Sequence, residues 1–231
     1  MTHRGWELWI STLTVQTSTR CRLGVTRTGR SASAMAHPKG LCIVGFVRDG
    51  LGSDGRISQR MILPDHEIRR LCTQAAMVVP YNPELQNPAS IDVLLGDRLM
   101  VEVEDRPELQ IMGIAHHTQV DPYWLAPGEF CLAETQEIFN LPDHVAAQFV
   151  LKSSRAREGL EHLLAGYADP GWHGSRLTLE LQNARRFHNL PIWPGMKIGQ
   201  MVFHLISGEP EKSYAVTGRY NNHKTVRGSL G

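Results

Sequence analysis

From Met61 onward the chain is divided into apolar or alternating runs too short for helices and fenced by turn chemistry, which restricts what it can build. The runs are Ile91-Asp92-Val93-Leu94-Leu95, Leu99-Met100-Val101-Glu102-Val103, Phe130-Cys131-Leu132-Ala133, Ala147-Gln148-Phe149-Val150-Leu151, Leu177-Thr178-Leu179-Glu180-Leu181 and Met201-Val202-Phe203-His204-Leu205-Ile206. Their length and alternation mark strands. Between them stand Gly96-Asp97, Ala126-Pro127-Gly128, Asp169-Pro170-Gly171 and Trp193-Pro194-Gly195. In such turns Pro presets one backbone angle and Gly supplies a conformation closed to other residues. The pattern predicts an all-β sandwich or barrel with one or two short helices. One helix is expected from Asp65 as cap, in Pro64-Asp65-His66-Glu67-Ile68. A second should run from Ser153 to about Leu164, with Ser153 or Ser154 as cap and Arg157, Leu160 and Leu164 at helical spacing.

Residues 1–60 follow different rules. They hold 9 of the 24 Lys+Arg and 3 of the 23 acidic residues, a charge of +6, whereas the remainder carries −5. Rich in Ser, Thr, Arg and Gly and without apolar periodicity, this segment cannot offset its ordering entropy and is expected to be disordered. Translation beginning at Met61 and an organelle transit peptide are the alternative readings. Leu41-Cys42-Ile43-Val44-Gly45-Phe46-Val47 is the exception, able to add an edge strand.

The net charge of +1 argues against coating nucleic acid or anionic lipid, so neither a nucleic acid nor a membrane is expected as partner. No run approaches the roughly 18 apolar residues of a spanning helix, and the protein is expected to be cytoplasmic. Cys21, Cys42, Cys72 and Cys131 stand far apart and read as reduced thiols, not a disulfide framework or a zinc site. His116-His117, if on a strand, point to opposite faces and cannot chelate one ion together.

Three segments can carry chemistry. Lys152-Ser153-Ser154-Arg155-Ala156-Arg157 combines three cations, two hydroxyls and a helix start, the makings of an anion site or simply a solvated helix end. Period-2 alternation puts Leu177, Leu179 and Leu181 on one strand face and Thr178 with Glu180 on the other. There the acid is either a general base in a pocket or a residue meeting water. Asp169 begins a turn and can be no more than that.

Together these segments resemble the dCTP deaminase branch of the dUTPase-fold superfamily. The helix motif reads Lys152-Ser153-Ser154-Arg155-Ala156-Arg157-Glu158-Gly159-Leu160, and the turn reads Ala165-Gly166-Tyr167-Ala168-Asp169-Pro170-Gly171-Trp172. The strand reads Leu177-Thr178-Leu179-Glu180-Leu181-Gln182-Asn183, and the late hairpin Leu190-Pro191-Ile192-Trp193-Pro194-Gly195-Met196-Lys197-Ile198-Gly199-Gln200. The resemblance covers about residues 61–231. It implies a distorted, jelly-roll-like β-barrel of the dUTPase fold. It also implies hydrolytic deamination of dCTP to dUTP without zinc, in a homotrimer with sites between subunits.

By that resemblance Glu180 is the proton-transferring acid, Ser153 and the Ala165 carbonyl position the water, and Arg157 holds Glu180. Lys152, Ser154, Arg155 and Ala156 would meet the triphosphate, with Mg2+ carried by the substrate. Asp169, Thr178, Leu179, Gln200, Tyr214, Arg219 and His223 complete the expected nucleotide contacts. Gly166, Tyr167 and Gln200 resemble the members that go on to cleave dUTP to dUMP and pyrophosphate, supplying dUMP for dTTP. Departures exist. The chain is one residue short between Leu160 and Ala165 and one long between Asp169 and Glu180. Leu164 stands where the family usually has Thr, which bears on control by a thymidine nucleotide. The alternatives are a plain dUTPase and a non-catalytic nucleotide-binding regulator on the same fold.

The charge break at residue 60 generates a prediction. A chain starting at Met61 should fold and keep full activity, as checked by thermal unfolding and turnover against the full-length protein; aggregation or inactivity would refute the boundary.

Overall fold

The computed structural model describes residues 62–208 and 210–231. The expectations for residues 1–61, including disorder, the start at Met61, the strand at 41–47 and the thiols of Cys21 and Cys42, lie outside the described residues.

In chain order the elements are α1 (Asp65–Ala75), β1 (Val78–Val79), β2 (Gln86–Asn87), β3 (Ser90–Val103), β4 (Arg106–Gly113), β5 (Tyr123–Leu125), β6 (Phe130–Asn140) and β7 (Val145–Leu151). Then follow α2 (Ser153–Glu158), β8 (Leu160–His162), β9 (Tyr167–Ala168), β10 (His173–Asn183), β11 (Leu190–Ile192), β12 (Lys197–Leu205) and α3 (Tyr214–Thr217). The expected all-β class holds. The main sheet runs β8-β10-β6-β3-β12-β7-β9, with β1 beside β6 and both β2 and β4 beside β3; β5 and β11 form a separate pair. Every paired strand is antiparallel.

Strand β3 bends this sheet into a curled half-barrel. Its first part pairs with β12 through Ile91, Asp92, Val93 and Leu94, and its second part with β6 and β4. The turn expected at Gly96-Asp97 is therefore a change of partner within one strand. Gly96 permits it because Glu134 lies where a Cβ would be, its Cγ only 2.5 Å from that position. The concave side closes on Leu95, Leu99, Phe139, Leu179, Leu181 and Phe203, all fully buried. Each such side chain contributes about 2 kcal/mol by leaving water. At Ala126-Pro127-Gly128, Asp169-Pro170-Gly171 and Trp193-Pro194-Gly195, the residue after Gly donates to the carbonyl three residues back at 3.0, 3.1 and 3.2 Å. With each Gly at positive φ these are type II turns.

Five local expectations are corrected. Asp65 does not cap α1: Pro64 is the N-cap, and the Asp65 N–H is taken by the Pro88 carbonyl at 2.9 Å. The second helix stops at Glu158 instead of reaching Leu164. Gly159 turns left-handed (φ 101), and Leu160 buries itself in β8 against β10, so tertiary packing overrides helical spacing. Its N-cap is Lys152, with neither Ser153 nor Ser154 capping. His116 and His117 lie in a turn with ring centroids 4.1 Å apart, not on a strand. Helix α3, capped by Ser213 Oγ accepting from Ala215 N at 3.0 Å, exceeds the one or two helices expected.

Glu137 on β6 is 2% exposed, and its carboxylate accepts from Leu94 N at 3.1 and 3.3 Å. Burial pushes its carboxyl up to about 7 despite that bond. A raised folded-state value means the stabilising neutral form is fully present below about pH 4.5 and is lost as pH rises through about 7, a swing of about 3 kcal/mol. Glu137→Gln, neutral at every pH, should therefore gain thermal stability over the wild type as pH goes from 5 to 8. Parallel melting curves would refute this role.

Candidate functional site

Strand β10 carries the site because it alternates. Ser175, Leu177, Leu179, Leu181 and Asn183 are buried, while Arg176, Thr178, Glu180 and Gln182 are half-buried on the other face. The three leucines fix the strand's orientation, since a one-residue slip would turn them to solvent and Glu180 into the core. Beside β10, β8 places His162 opposite Leu181. The His162 side chain is 3% exposed, packs on Phe149 with ring centroids 4.8 Å apart, and brings Nε2 to 3.3 Å from Glu180 Oε2. That approach has ion-pair distance but not hydrogen-bond geometry, so both atoms are buried without a hydrogen-bond partner. An unpartnered buried acceptor costs about 1–3 kcal/mol, which a bound donor recovers.

Glu180 opens into a cavity of about 730 Å³. One wall is β10, with Arg176, Thr178 and Glu180; a second is the turn segment, with Ala165, Tyr167, Asp169 and Trp172. The third is the C-terminal tail, through Tyr214, Tyr220, His223 and Arg227. Phe130, Leu132, Met100 and Leu109 form its apolar end. The tail is held by backbone and side-chain bonds. Trp172 Nε1 and Ser175 Oγ donate to the Tyr220 carbonyl at 3.0 and 2.7 Å, and Arg176 N donates to the His223 carbonyl at 2.9 Å. Farther on, Val226 N donates to Glu134 Oε2 at 2.5 Å. Burial pushes the Glu134 carboxyl up, opposed by this bond and by Arg176. Burial, then the charge of Arg227, lowers the His223 imidazole.

Among the expected residues, Glu180, Ala165, Tyr167, Asp169, Thr178, Tyr214 and His223 come together here. The α2 group does not line this cavity. Lys152 Nζ lies 2.7 Å from Asp92 Oδ1, and Arg155 Nη1 lies 2.7 Å from Glu158 Oε2 and 3.6 Å from Met196 Sδ. Burial raises the Asp92 carboxyl, but bonds from Lys152 and Asn87 outweigh it and hold it below its ordinary value. Ser153, Ser154, Ala156 and Arg157 are exposed on α2. Leu179 faces the core, and Gln200 sits on β12 accepting from Ser90 Oγ at 3.3 Å. Gly166 and Arg219 do not line the cavity. Tyr220, beside Arg219 in the tail segment expected to close over the triphosphate, lines the cavity too, whereas sequence reasoning missed His162, Arg176 and Arg227. His162 was hidden by the expected helix; once β8 is a strand beside β10, its position near Glu180 follows. Among the described residues no group of three or more His, Cys, Asp or Glu is placed to hold a metal ion.

Residues 62–206 match the family model described as dCTP deaminase-like. A relative from Corynebacterium efficiens, "dCTP deaminase, dUMP-forming", is 37% identical over 73% of this chain and 91% of its own length. A protein of the same name from Clavibacter michiganensis subsp. michiganensis is 41% identical over 69% of this chain and 83% of its own. The solved 2'-deoxycytidine 5'-triphosphate deaminase from Agrobacterium tumefaciens aligns with a TM-score of 0.52 at 20% identity, covering 63% of this chain. This chain spans about half of that solved chain, 48% of its length, and the likeness supports the shared fold. The chain belongs to the dCTP deaminase-like family.

Proposed function

We propose that this protein deaminates dCTP and carries the product on to dUMP and pyrophosphate in the same site. The observation that carries this is Glu180. Its carboxylate is rigidly mounted, has an unpartnered buried oxygen, and faces a nucleotide-sized cavity whose other wall holds the Ala165 and Asp169 turn. In the first step Glu180 takes a proton from water as the oxygen bonds to C4 of cytosine, and delivers it to N3. Glu180 then carries the proton of the new C4 hydroxyl to the amino group, so that the C4–N bond breaks with release of ammonia and the C4 carbonyl of dUTP forms. General acid–base transfer of this kind supplies about 10²–10⁴ in rate. The Ala165 carbonyl accepts from the attacking water, and an arginine beside the carboxylate keeps it aligned.

The second step is attack of water on the α-phosphorus, releasing pyrophosphate. Asp169, in the same cavity, orients that water. The curated relatives' name, dUMP-forming, supports this step. Mg2+ would arrive with the substrate and offset the charge of its triphosphate.

Ser153 and Arg157 lie outside the Glu180 cavity of their own chain. Their assigned roles therefore require that α2 of one subunit complete the cavity of another, which supports the homotrimer with sites between subunits. Lys152, Ser154 and Arg155 would then reach a neighbour's triphosphate. Lys152 and Arg155 must first loosen from Asp92 and Glu158; the Arg155 pair is partly exposed and weak, whereas Asp92 is buried and would be left to Lys197 and Asn87.

Incubated with dCTP and Mg2+, the protein should release ammonia together with dUMP and pyrophosphate. Accumulating dUTP would remove the second step, and silence towards dCTP would return the chain to the regulator or plain dUTPase readings. Glu180→Gln should keep dCTP binding and lose turnover by about 10³ or more; near wild-type turnover would remove Glu180 as the acid. His162 touches Glu180 without lining the cavity. His162→Phe should thus lower kcat by roughly an order of magnitude with little change in the KM for dCTP; the reverse split would assign it to binding.

A further inference from the structure

We propose that Arg185, outside every motif of the family resemblance, is a second anion-binding arginine that works with Arg157. The two line one depression of about 540 Å³, together with Glu158, Gly159, Leu190 and Pro191. Their proximity follows from strand pairing. β8 lies against the end of β10, pairing Leu160 with Asn183, and Ala184 N donates to the Gly159 carbonyl at 2.9 Å. The residues leaving β10 thus pass directly over the end of α2.

Arg185 is held, not loose. Asn183, fully buried, accepts from Arg185 N at 2.9 Å through Oδ1 and donates through Nδ2 to the Leu125 and His188 carbonyls at 2.9 and 3.0 Å. The Arg185 stem crosses Gly159, its Cγ 2.5 Å from where a Cβ would stand. Any larger residue at 159 would displace it.

Among the described residues neither the Arg157 nor the Arg185 guanidinium has an ion-pair or hydrogen-bond partner, and Glu158, the one carboxylate lining the depression, already pairs with Arg155. Two unpaired guanidiniums facing one depression repel each other until an anion enters. The planar donor sets of arginine suit phosphate oxygens best. Asn183 stands three residues beyond Glu180, about 10 Å along an extended strand, so Arg185 leads away from the acid of its own chain. It serves whichever site Arg157 serves. On the function proposed above, Arg157 meets a neighbouring subunit's Glu180 while Lys152, Ser154 and Arg155 of the same α2 meet the triphosphate there, so Arg185, which Glu180 does not need, is left to the substrate's phosphates in that cavity.

The test uses the full chain with Arg185→Ala, Arg185→Gln and Arg185→Lys, each checked by thermal unfolding. Two readouts are measured: steady-state dCTP deamination with Mg2+, and calorimetric binding of inorganic pyrophosphate at low and high salt. Removing the guanidinium should raise both the KM for dCTP and the pyrophosphate Kd about fivefold or more. The effect on kcat should be smaller, with partial recovery in the Lys variant and a weaker salt dependence in Ala and Gln. Unchanged KM and Kd in the Gln variant would overturn the inference while leaving the deaminase reading intact. Were the wild type silent towards dCTP, that reading would fall, and the pyrophosphate arm alone would decide Arg185: loss of binding upholds it, and no loss or no binding overturns it.

Discussion

The site depends on β10 having one face committed to the core. Leu177, Leu179 and Leu181 are all buried, so sliding the strand by one residue would expose three leucines and bury a carboxylate. That penalty is far larger than any single polar contact around Glu180. The acid is therefore positioned by hydrophobic burial on the opposite face, and its own bonds need not hold it. This is why Glu180 Oε2 can remain buried and unpartnered beside His162: the scaffold bears the cost of an acceptor waiting for a proton donor.

Electrostatically the described residues fall into settled and unsettled groups. Asp92 is satisfied by Lys152 at 2.7 Å and Lys197 at 3.3 Å, and Glu158 by Arg155. Glu134 is bound by the tail at Val226 and lies 3.6 Å from Arg176. Among the unsettled groups, besides His162 Nε2 and Arg155 Nε, are Glu180 in the cavity and the Arg157–Arg185 pair beyond it, an acid in one place and bare cations in another. Within a single chain Glu180 and the two arginines therefore line separate cavities. On the function proposed above, a second chain would bring them together.

Much of this was legible in the sequence wherever a periodic pattern was backed by burial. The alternation around Glu180 and the three Pro-Gly turns are local signals with one physical reading each, and they appear as read. The second helix was misjudged because Arg157, Leu160 and Leu164 satisfy helical spacing, yet Gly159 breaks the helix and Leu160 gains more by burial against β10. That error alone concealed His162. Arg227 could not be read at all: nothing local distinguishes it from Arg219, and only the anchoring of Val226 on a carboxylate 92 residues away in sequence turns one to the cavity and not the other. Long-range polar bonds leave no periodic trace.

The two ends of β10 are built differently. Its register against β6 is irregular between His173 and Ser175 and between Arg176 and Thr178, then regular through Gln182. Irregularity frees backbone groups from the ladder. In that first half His173 N takes Asn221 Oδ1, the His173 carbonyl takes Asn222 N, and Arg176 N takes the His223 carbonyl. The imperfect half of the strand is the part that docks the tail, whereas the regular half holds Glu180 still and hands the chain over Gly159 to Arg185. Because a single strand bears the tail anchor, the acid and the approach to the second arginine, rotation of β10 about its axis would move all three together. The leucine face that prevents such rotation is what keeps the tail, the acid and the cation in a fixed order along about 30 Å of strand.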